Sequence, residues 1–353
     1  MSVLRIEDLS IALPAGGERE YAVDGLSLNI ESGQTLCVVG ESGSGKSVMA
    51  MAVMGLLAHG LNVRRGSIEL HSEQLLQVSA QRWRQLRGVA MGMVFQEPMT
   101  ALNPVMSCGA QLDELLRFHT ELDAEQRRAE VLSMLERVKL PHAPEVARRF
   151  PHQLSGGQRQ RIVIAMAMML KPALLICDEP TTALDVTTQK EILALIQELQ
   201  REQGSAVLFI THDMGVVAEI ADRVLVMHQG RCVEAGAKHQ VLKTPQAPYT
   251  QALLAAVPGM QPPAPRAAST KAVVLSAQSL GKTYTSRDWM GRTSSHEALT
   301  QASLALRAGE TVGVAGESGS GKSTLARCLM RLIEPTAGEI FWADQPEIGR
   351  AHV

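Results

Sequence analysis

Short apolar runs alternate with stretches of helical periodicity through the first 257 residues. Thr35–Val39 (TLCVV) is a continuous apolar run ahead of a glycine-rich turn, and a helical pattern follows over residues 46–57. Residues 173–177 (ALLIC) and Ala206–Ile210 (AVLFI) read as two more buried strands. Between them, residues 187–203 place Ile192, Leu195, Ile196 and Leu199 at the spacing of an amphipathic helix, which Gly204 can terminate. Residues from about 98 to 165 are mainly helical in pattern and predict an inserted helical lobe. Strands alternating with helices predict an α/β domain with a largely parallel sheet.

The chain also repeats itself. SGQTLCVVGESGSGKS at residues 32–47 returns as AGETVGVAGESGSGKS at residues 308–323, with the octet GESGSGKS identical in both. Upstream, Leu4, Leu9 and Ala22-Val23 have counterparts in Leu275, Leu280 and Ala298-Leu299. Between the copies, residues 258–270 (PGMQPPAPRAAST) hold four prolines and few large apolar side chains, the composition of an extended linker. The expected organisation is a first domain over residues 1–257, a linker over 258–270, and the start of a second domain over 271–353. That second domain is expected to be incomplete, and its closing QPEIGRAHV to reflect a fragment or a frameshift.

Composition acts mainly by exclusion. With 45% hydrophobic and 20% charged residues the chain has the profile of a folded soluble protein. No apolar stretch approaches the roughly 20 residues that cross a bilayer. The N-terminal MSVLRIEDLS lacks the basic start and apolar core of a secretory signal, so a membrane role is expected to be peripheral. A formal charge of −2 argues against broad attraction to nucleic acid. The five cysteines form no CxxC pair, which leaves zinc or iron–sulfur binding without support and fits a reducing cytosol.

Chemistry concentrates in three motifs. Gly40, Glu41, Ser42, Gly43, Ser44, Gly45, Lys46 and Ser47 form a strand-to-helix loop of the pattern GxxxxGK[ST]. Its glycines let backbone amides turn toward phosphate oxygens, and the following helix start adds partial positive charge. Lys46 is placed to reach the β- and γ-phosphates, and Ser47 to ligate Mg²⁺. The second motif is Leu154, Ser155, Gly156, Gly157 and Gln158, ahead of the helical run RQRIVIAMAMML, where Ser155 can cap the helix. The third is the apolar run ending in Asp178 and Glu179, which puts two carboxylates at the carboxyl edge of the sheet, where α/β proteins bind ligands.

Taken in order, these motifs make the first 257 residues resemble the nucleotide-binding domain of an ATP-binding cassette (ABC) ATPase. The resemblance implies a P-loop NTPase fold with a RecA-like parallel core, an antiparallel β subdomain and an inserted helical subdomain, followed by the start of a second cassette. It also implies roles. Residues 40–47 become the Walker A loop, and Ser155 to Gln158 part of the signature motif. Asp178 becomes the Walker B aspartate that holds Mg²⁺, Glu179 the general base and Asp185 the D-loop aspartate. Gln96 becomes the glutamine that senses Mg²⁺ and the attacking water, and His212 the γ-phosphate switch. Gly316, Gly319, Gly321, Lys322 and Ser323 repeat the phosphate loop without a second acid pair.

ABC domains usually stack adenine on an aromatic near the first strand. The repeat sets Leu13 opposite Tyr284, so the first copy lacks that ring, and Tyr21 is either a substitute or a packing residue. Residues 95–104 (FQEPMTALNP) and the tail PQAPYTQALLAAVP resemble bacterial dipeptide, oligopeptide and nickel importers, with Ala247 where histidine is usual. The tandem layout is similar to fused ATPases of glutathione-type and related peptide importers. The resemblance implies ATP and Mg²⁺ as cofactors, a place on the cytoplasmic face of the inner membrane, two integral membrane permease subunits, a periplasmic solute-binding protein acting indirectly, and no nucleic acid. It implies as well a second ABC domain, in trans or from missing residues, because each ATP lies between one Walker A and the other domain's signature. The alternatives are a soluble tandem ABC ATPase of DNA repair or translation, disfavoured by the absence of zinc cysteines or a basic linker, and a non-catalytic remnant.

Overall fold

The structure is a computed structural model and describes residues 2–14, 16, 19–97, 101–182, 184–257, 271–287, 293–317, 319–343 and 345–346. The expected linker at 258–270 and the last seven residues lie outside the described residues. Contacts divide the chain into two compact units, Met1–Leu184 with Thr188–Pro258, and Gly259–Val353 with residues 185–187.

In chain order the strands of the first unit are β1 (Ser2–Ala12), β2 (Tyr21–Glu31), β3 (Thr35–Val39), β4 (Asn62–Leu70), β5 (Glu73–Gln74), β6 (Met91–Val94), β7 (Leu174–Asp178), β8 (Ala206–Ile210), β9 (Arg223–His228) and β10 (Arg231–Ala237). They build two sheets, an antiparallel one in the order β2-β1-β4-β5 and a six-stranded one in the order β10-β9-β3-β8-β7-β6. The larger sheet is parallel except at its β10 edge. All five residues of β3, β7 and β8 are buried, as parallel strands covered on both faces must be.

The period-two alternation of a strand divides those residues between two cores. Cys37, Val39, Cys177, Val207 and Phe209 join the helices in one cluster. Leu36, Val38, Ile176, Leu208 and Ile210 face the other way and pack with the antiparallel sheet through Leu4, Ile6, Leu26 and Ile30. Burial pushes the Cys37 and Cys177 thiols well above their ordinary range, so both act as small apolar side chains.

The helical lobe runs through Cys108–His119, Ala124–Arg137 and Ala143–Arg148, and leads into Gly156–Met168. Its starts are locally encoded. Asp123 and Gln126 form a reciprocal cap on one helix, and Ser155 with Gln158 form another. The helix after the glycine-rich loop is shorter than its periodicity predicts, ending at Val53 rather than Leu57. Gly55 adopts a left-handed φ of 62° there, and a Cβ on it would lie 2.5 Å from the Trp83 ring. Gly55 ends the helix one turn early in a Schellman turn, the Leu56 N–H donating to the Met51 carbonyl at 2.8 Å and the Gly55 N–H to the Ala52 carbonyl at 3.0 Å.

The second unit has its own sheet, β12-β11-β13-β14, from β11 (Val273–Arg287), β12 (Thr293–Arg307), β13 (Ala337–Trp342) and β14 (Gln345–Pro346). Its hairpin keeps the register of the first. Leu4 faces Ile30 and Leu9 faces Leu26 in one, while Leu275 faces Leu306 and Leu280 faces Ala302 in the other. A small core gathers Leu280, Leu299, Leu325, Cys328 and Ile340. Val312 and Val314 are 43% and 52% exposed, whereas their counterparts Leu36 and Val38 are at 2% and 0%. Among the described residues no strand pairs with that run in the second unit.

Candidate active site

The loop at residues 40–47 links β3 to the helix Lys46–Val53. Two of its glycines are required by contact as well as by conformation. A Cβ on Gly40 (φ 149°) would lie 2.1 Å from the Met227 carbonyl oxygen, and one on Gly45 (φ 101°) would lie 2.4 Å from that of Ala22. The loop folds around Lys46, which is buried and donates to the Gly40 carbonyl at 2.7 Å, the Glu41 carbonyl at 2.8 Å and Ser44 Oγ at 3.3 Å. Burial pulls the Lys46 ammonium below its ordinary value, against the opposing fields of Glu179, Asp178 and Glu41.

Ser47 Oγ donates to Asp178 Oδ1 at 3.0 Å, which joins the helix start to the end of β7. Asp178 is buried, and that burial raises its carboxyl pKa, offset in part by the bond from Ser47. Glu179 follows at a left-handed φ of 47° and is anchored by its N–H to the Ile210 carbonyl at 2.9 Å. Strained backbone of this kind persists where surrounding contacts hold it, and it turns the carboxylate out of the strand line.

Two distant segments and Glu179's own turn converge on that carboxylate. His212 Nδ1 lies 3.2 Å from Oε1, while Gln96 Nε2 donates to Oε2 at 3.3 Å and Thr182 Oγ1 donates to the same oxygen at 2.9 Å. Gln96 follows β6 and His212 follows β8, so parallel strand ends deliver both to one edge of the sheet. The structure therefore brings Gln96, Asp178, Glu179, His212, Lys46 and Ser47 into one connected region. Thr182 was not singled out by sequence. Its signal is the three-residue spacing from Glu179 in a turn, with the Thr182 N–H donating to the Glu179 carbonyl at 3.3 Å.

Ser155, Gly156, Gly157 and Gln158 lie elsewhere, at the start of the helix Gly156–Met168. Ser155 Oγ accepts from the Gln158 N–H at 3.3 Å, and Gln158 Oε1 accepts from the Ser155 N–H at 3.1 Å. A Cβ on Gly156 would meet nothing within 4 Å, so that glycine leaves the helix start open. Asp185 directly precedes the helix Val186–Gln203.

Beside residues 41–44, Arg19, His228 and Gln229 border a cleft of about 480 Å³, and Arg19 donates to the Gly43 carbonyl at 2.9 Å. Tyr21 borders the adjoining cleft with His228 and Arg231. In the second unit, Lys322 Nζ donates to the Gly316 and Glu317 carbonyls at 2.6 Å each and to Ser320 Oγ at 3.4 Å. A Cβ on Gly321 would lie 2.3 Å from the Ala298 carbonyl oxygen, matching Gly45 against Ala22. Gly319 keeps a left-handed φ of 82°, and Ser323 is exposed on the helix Lys322–Leu329. Tyr284, opposite Leu13 in the repeat, is 41% exposed on β11.

Comparison with known proteins agrees with this geometry. A family model described as ABC transporter matches residues 23–182 and again 299–350. One described as the C-terminal region of oligopeptide/dipeptide transporters matches residues 233–292. The chain is 45% identical over 376 aligned residues to the glutathione import ATP-binding protein GsiA of Escherichia coli strain K12, covering 98% of this chain and 60% of that protein. The corresponding protein of Shigella dysenteriae is 46% identical, with the same coverage. The chain thus spans about 60% of the length of the curated relatives it matches. Among solved structures, an ATP-binding cassette in a dimeric post-hydrolysis state bound to ADP and Pi superposes with a TM-score of 0.59 at 28% identity, covering 67% of this chain and 98% of that one. The cassette cbiO1 from Clostridium perfringens, part of the ABC transporter complex cbiONQ, gives the same TM-score and identity, covering 69% and 91%.

Proposed function

The chain belongs to the ABC transporter family, and from that premise we propose that its first unit binds and hydrolyses MgATP to drive solute import. The observation that carries the reading is the connected cluster of Lys46, Ser47, Asp178, Glu179, Gln96, Thr182 and His212. Walker A and B residues alone would bind phosphate. A carboxylate held beside them by two distant segments and its own turn adds a group able to orient water.

Hydrolysis of a phosphoanhydride spreads negative charge over the γ-oxygens, so positioning and electrostatics carry most of the catalysis. Lys46 and the amides of residues 43–47 supply positive charge at the phosphates. The donor set also suits magnesium, since Ser47 and Asp178 present a hydroxyl and a carboxylate within 3.0 Å of each other, the hard oxygen ligands this ion prefers. Bound there, Mg²⁺ would neutralise charge on the β- and γ-phosphates. Glu179 takes the proton from the attacking water at its carboxylate, and Gln96, Thr182 and His212 fix which oxygen faces the water. His212, 58% exposed, is free to meet the γ-phosphate.

In this reading Ser155, Gly156, Gly157, Gln158 and Asp185 serve a nucleotide held by another cassette, supplied in trans or by residues beyond this chain. Lys322, Gly316, Gly319, Gly321 and Ser323 form a second phosphate cradle. The domain division at 1–257, 258–270 and 271–353 is proposed to hold in the whole protein. The relatives' names favour glutathione or short peptides as the imported solute, with two permease subunits in the inner membrane and a periplasmic binding protein delivering solute. No helix among the described residues is long and apolar enough to cross a membrane; the import role in the relatives' names favours a peripheral place on the cytoplasmic face.

The deciding experiment is equilibrium binding of ATP to the purified chain with Mg²⁺ and with EDTA. Saturable, Mg²⁺-dependent binding that Lys46→Ala abolishes is expected. No binding, or binding indifferent to Lys46, overturns the reading.

A further inference from the structure

The tail motif PQAPYTQALL makes none of the contacts described at Glu179, yet the structure carries it to the phosphate loop. It forms the helix Pro248–Ala255, whose start is fastened to β10. There the Glu234 carboxylate accepts from the Gln246 N–H at 2.8 Å and the Ala247 N–H at 3.1 Å. At the second residue of the helix, the Tyr249 ring packs on His228 with centroids 4.0 Å apart and planes tilted by 36°. Its hydroxyl accepts from the Glu41 N–H at 3.4 Å.

Both partners belong to the loop's supports. Glu41 offers its carbonyl to Lys46 at 2.8 Å, so Tyr249 grips the amide of the residue that holds the lysine. His228 ends β9, and the turn after it donates the Gly230 N–H to the Ser44 carbonyl at 3.0 Å. Met227, one residue earlier, provides the carbonyl that packs against Gly40.

We propose that Tyr249 is a positioning residue for the phosphate loop. The tail helix braces residues 40–44 from outside, through the hydroxyl on Glu41 and the ring on the turn that supports Ser44. The inference rests on the reading of residues 40–47 as the nucleotide loop and gives the C-terminal region a place in nucleotide binding. A loop held in its receiving shape loses less freedom when phosphate arrives, so the brace acts on affinity. The hydroxyl bond is long and partly exposed, so removing it should weaken MgATP binding about two- to fivefold. Losing the ring also releases the His228 turn, and a loss of about tenfold or more is expected.

The test titrates the purified full chain with MgATP and records unfolding midpoints for Tyr249→Phe, Tyr249→Ala, Gln251→Ala and Lys46→Ala. Gln251 donates to the Pro245 carbonyl at 2.9 Å, a bond within the same tail that does not touch the loop. Expected is a graded loss from Tyr249→Phe to Tyr249→Ala, with the Phe variant melting as wild type and Gln251→Ala binding as wild type. Wild-type affinity in Tyr249→Phe, with any loss in Tyr249→Ala matched by Gln251→Ala at equal destabilisation, overturns the brace while leaving the loop's role standing. A wild-type chain that binds no MgATP overturns both, and Lys46→Ala separates the two cases. Should Tyr249→Ala fail to fold, Tyr249→Phe alone decides.

Discussion

Two glycines of the phosphate loop share a left-handed backbone but differ in what surrounds them, and the difference sets a measurable stability gap. Gly45 has φ 101° and Gly43 has φ 78°, so an alanine at either pays the left-handed penalty of about 1–2 kcal/mol. At Gly43 a Cβ meets nothing within 4 Å, and the penalty ends there. At Gly45 the Cβ would sit 2.4 Å from the Ala22 carbonyl oxygen. Reaching even the shortest contact that real Cβ atoms show, 3.0 Å, requires the loop and β2 to separate by about 0.6 Å. Overpacking of that kind adds about 1–3 kcal/mol. Gly45→Ala should therefore be destabilised by roughly 2–5 kcal/mol, and Gly43→Ala by roughly 1–2 kcal/mol. Chemical denaturation followed by far-ultraviolet circular dichroism measures both. Nucleotide binding would not separate the variants, because Gly43 borders the open cleft and its new methyl would obstruct phosphate. Equal unfolding free energies for the two would refute the contact argument and the packing of the loop on β2.

Other expectations follow from the same cluster. Glu179→Gln keeps an acceptor toward Gln96 and Thr182, so MgATP affinity should persist while turnover falls about 10²–10⁴-fold in a phosphate-release assay; normal turnover would remove Glu179 from its role. Thr182→Val deletes one of the donors that orient the carboxylate, and a three- to tenfold slower turnover with unchanged affinity is expected, on the order of one hydrogen bond. Asp178→Asn should raise the unfolding midpoint of the nucleotide-free chain at neutral pH and abolish its stabilisation by MgATP. The sign comes from burial, which holds the folded Asp178 carboxyl above its ordinary value. Its stabilising contribution is complete below the unfolded value of about 4 and is lost as pH rises through the folded value. The advantage of Asp178→Asn should thus shrink as pH falls toward 4, and unfolding midpoints across pH 4–8 check it.

What sequence made legible depended on how local the cause was. The octet at residues 40–47 could be read because its glycines, lysine and serine act within eight positions. The cap at Ser155 is equally local. Gln96 and His212 lie far along the chain from Glu179, so only resemblance singled them out, and the strand order then brought them together. Tyr249 was visible as part of a tail motif, but its bond to Glu41 spans 208 residues and follows no spacing rule. The early end of the helix at Val53 has a local cause by contrast, since Gly55 stops it as a left-handed glycine just past the last turn, the same kind of signal as Gly204.

The two copies of the loop separate what the octet determines from what the sheet determines. In the second unit the run before the loop has no strand neighbours among the described residues, and Val312 and Val314 stand half exposed. Yet Lys322 turns back onto the carbonyls of residues 316 and 317 and onto Ser320 Oγ, as Lys46 does onto those of residues 40 and 41 and onto Ser44 Oγ. Parallel strand neighbours are therefore not what turns the lysine inward, although both loops keep their contact with the hairpin strand, through Ala22 in one and Ala298 in the other. In both copies the lysine is satisfied by carbonyls five and six positions back along its own chain. Catalytic competence has the opposite dependence. Asp178 reaches Ser47 across 131 residues, and Glu179 is oriented by side chains from β6 and β8 ends. The inward turn of the lysine thus recurs in a copy whose preceding run has no strand neighbours among the described residues, whereas the placement of Glu179 depends on the strand ends of the assembled parallel sheet.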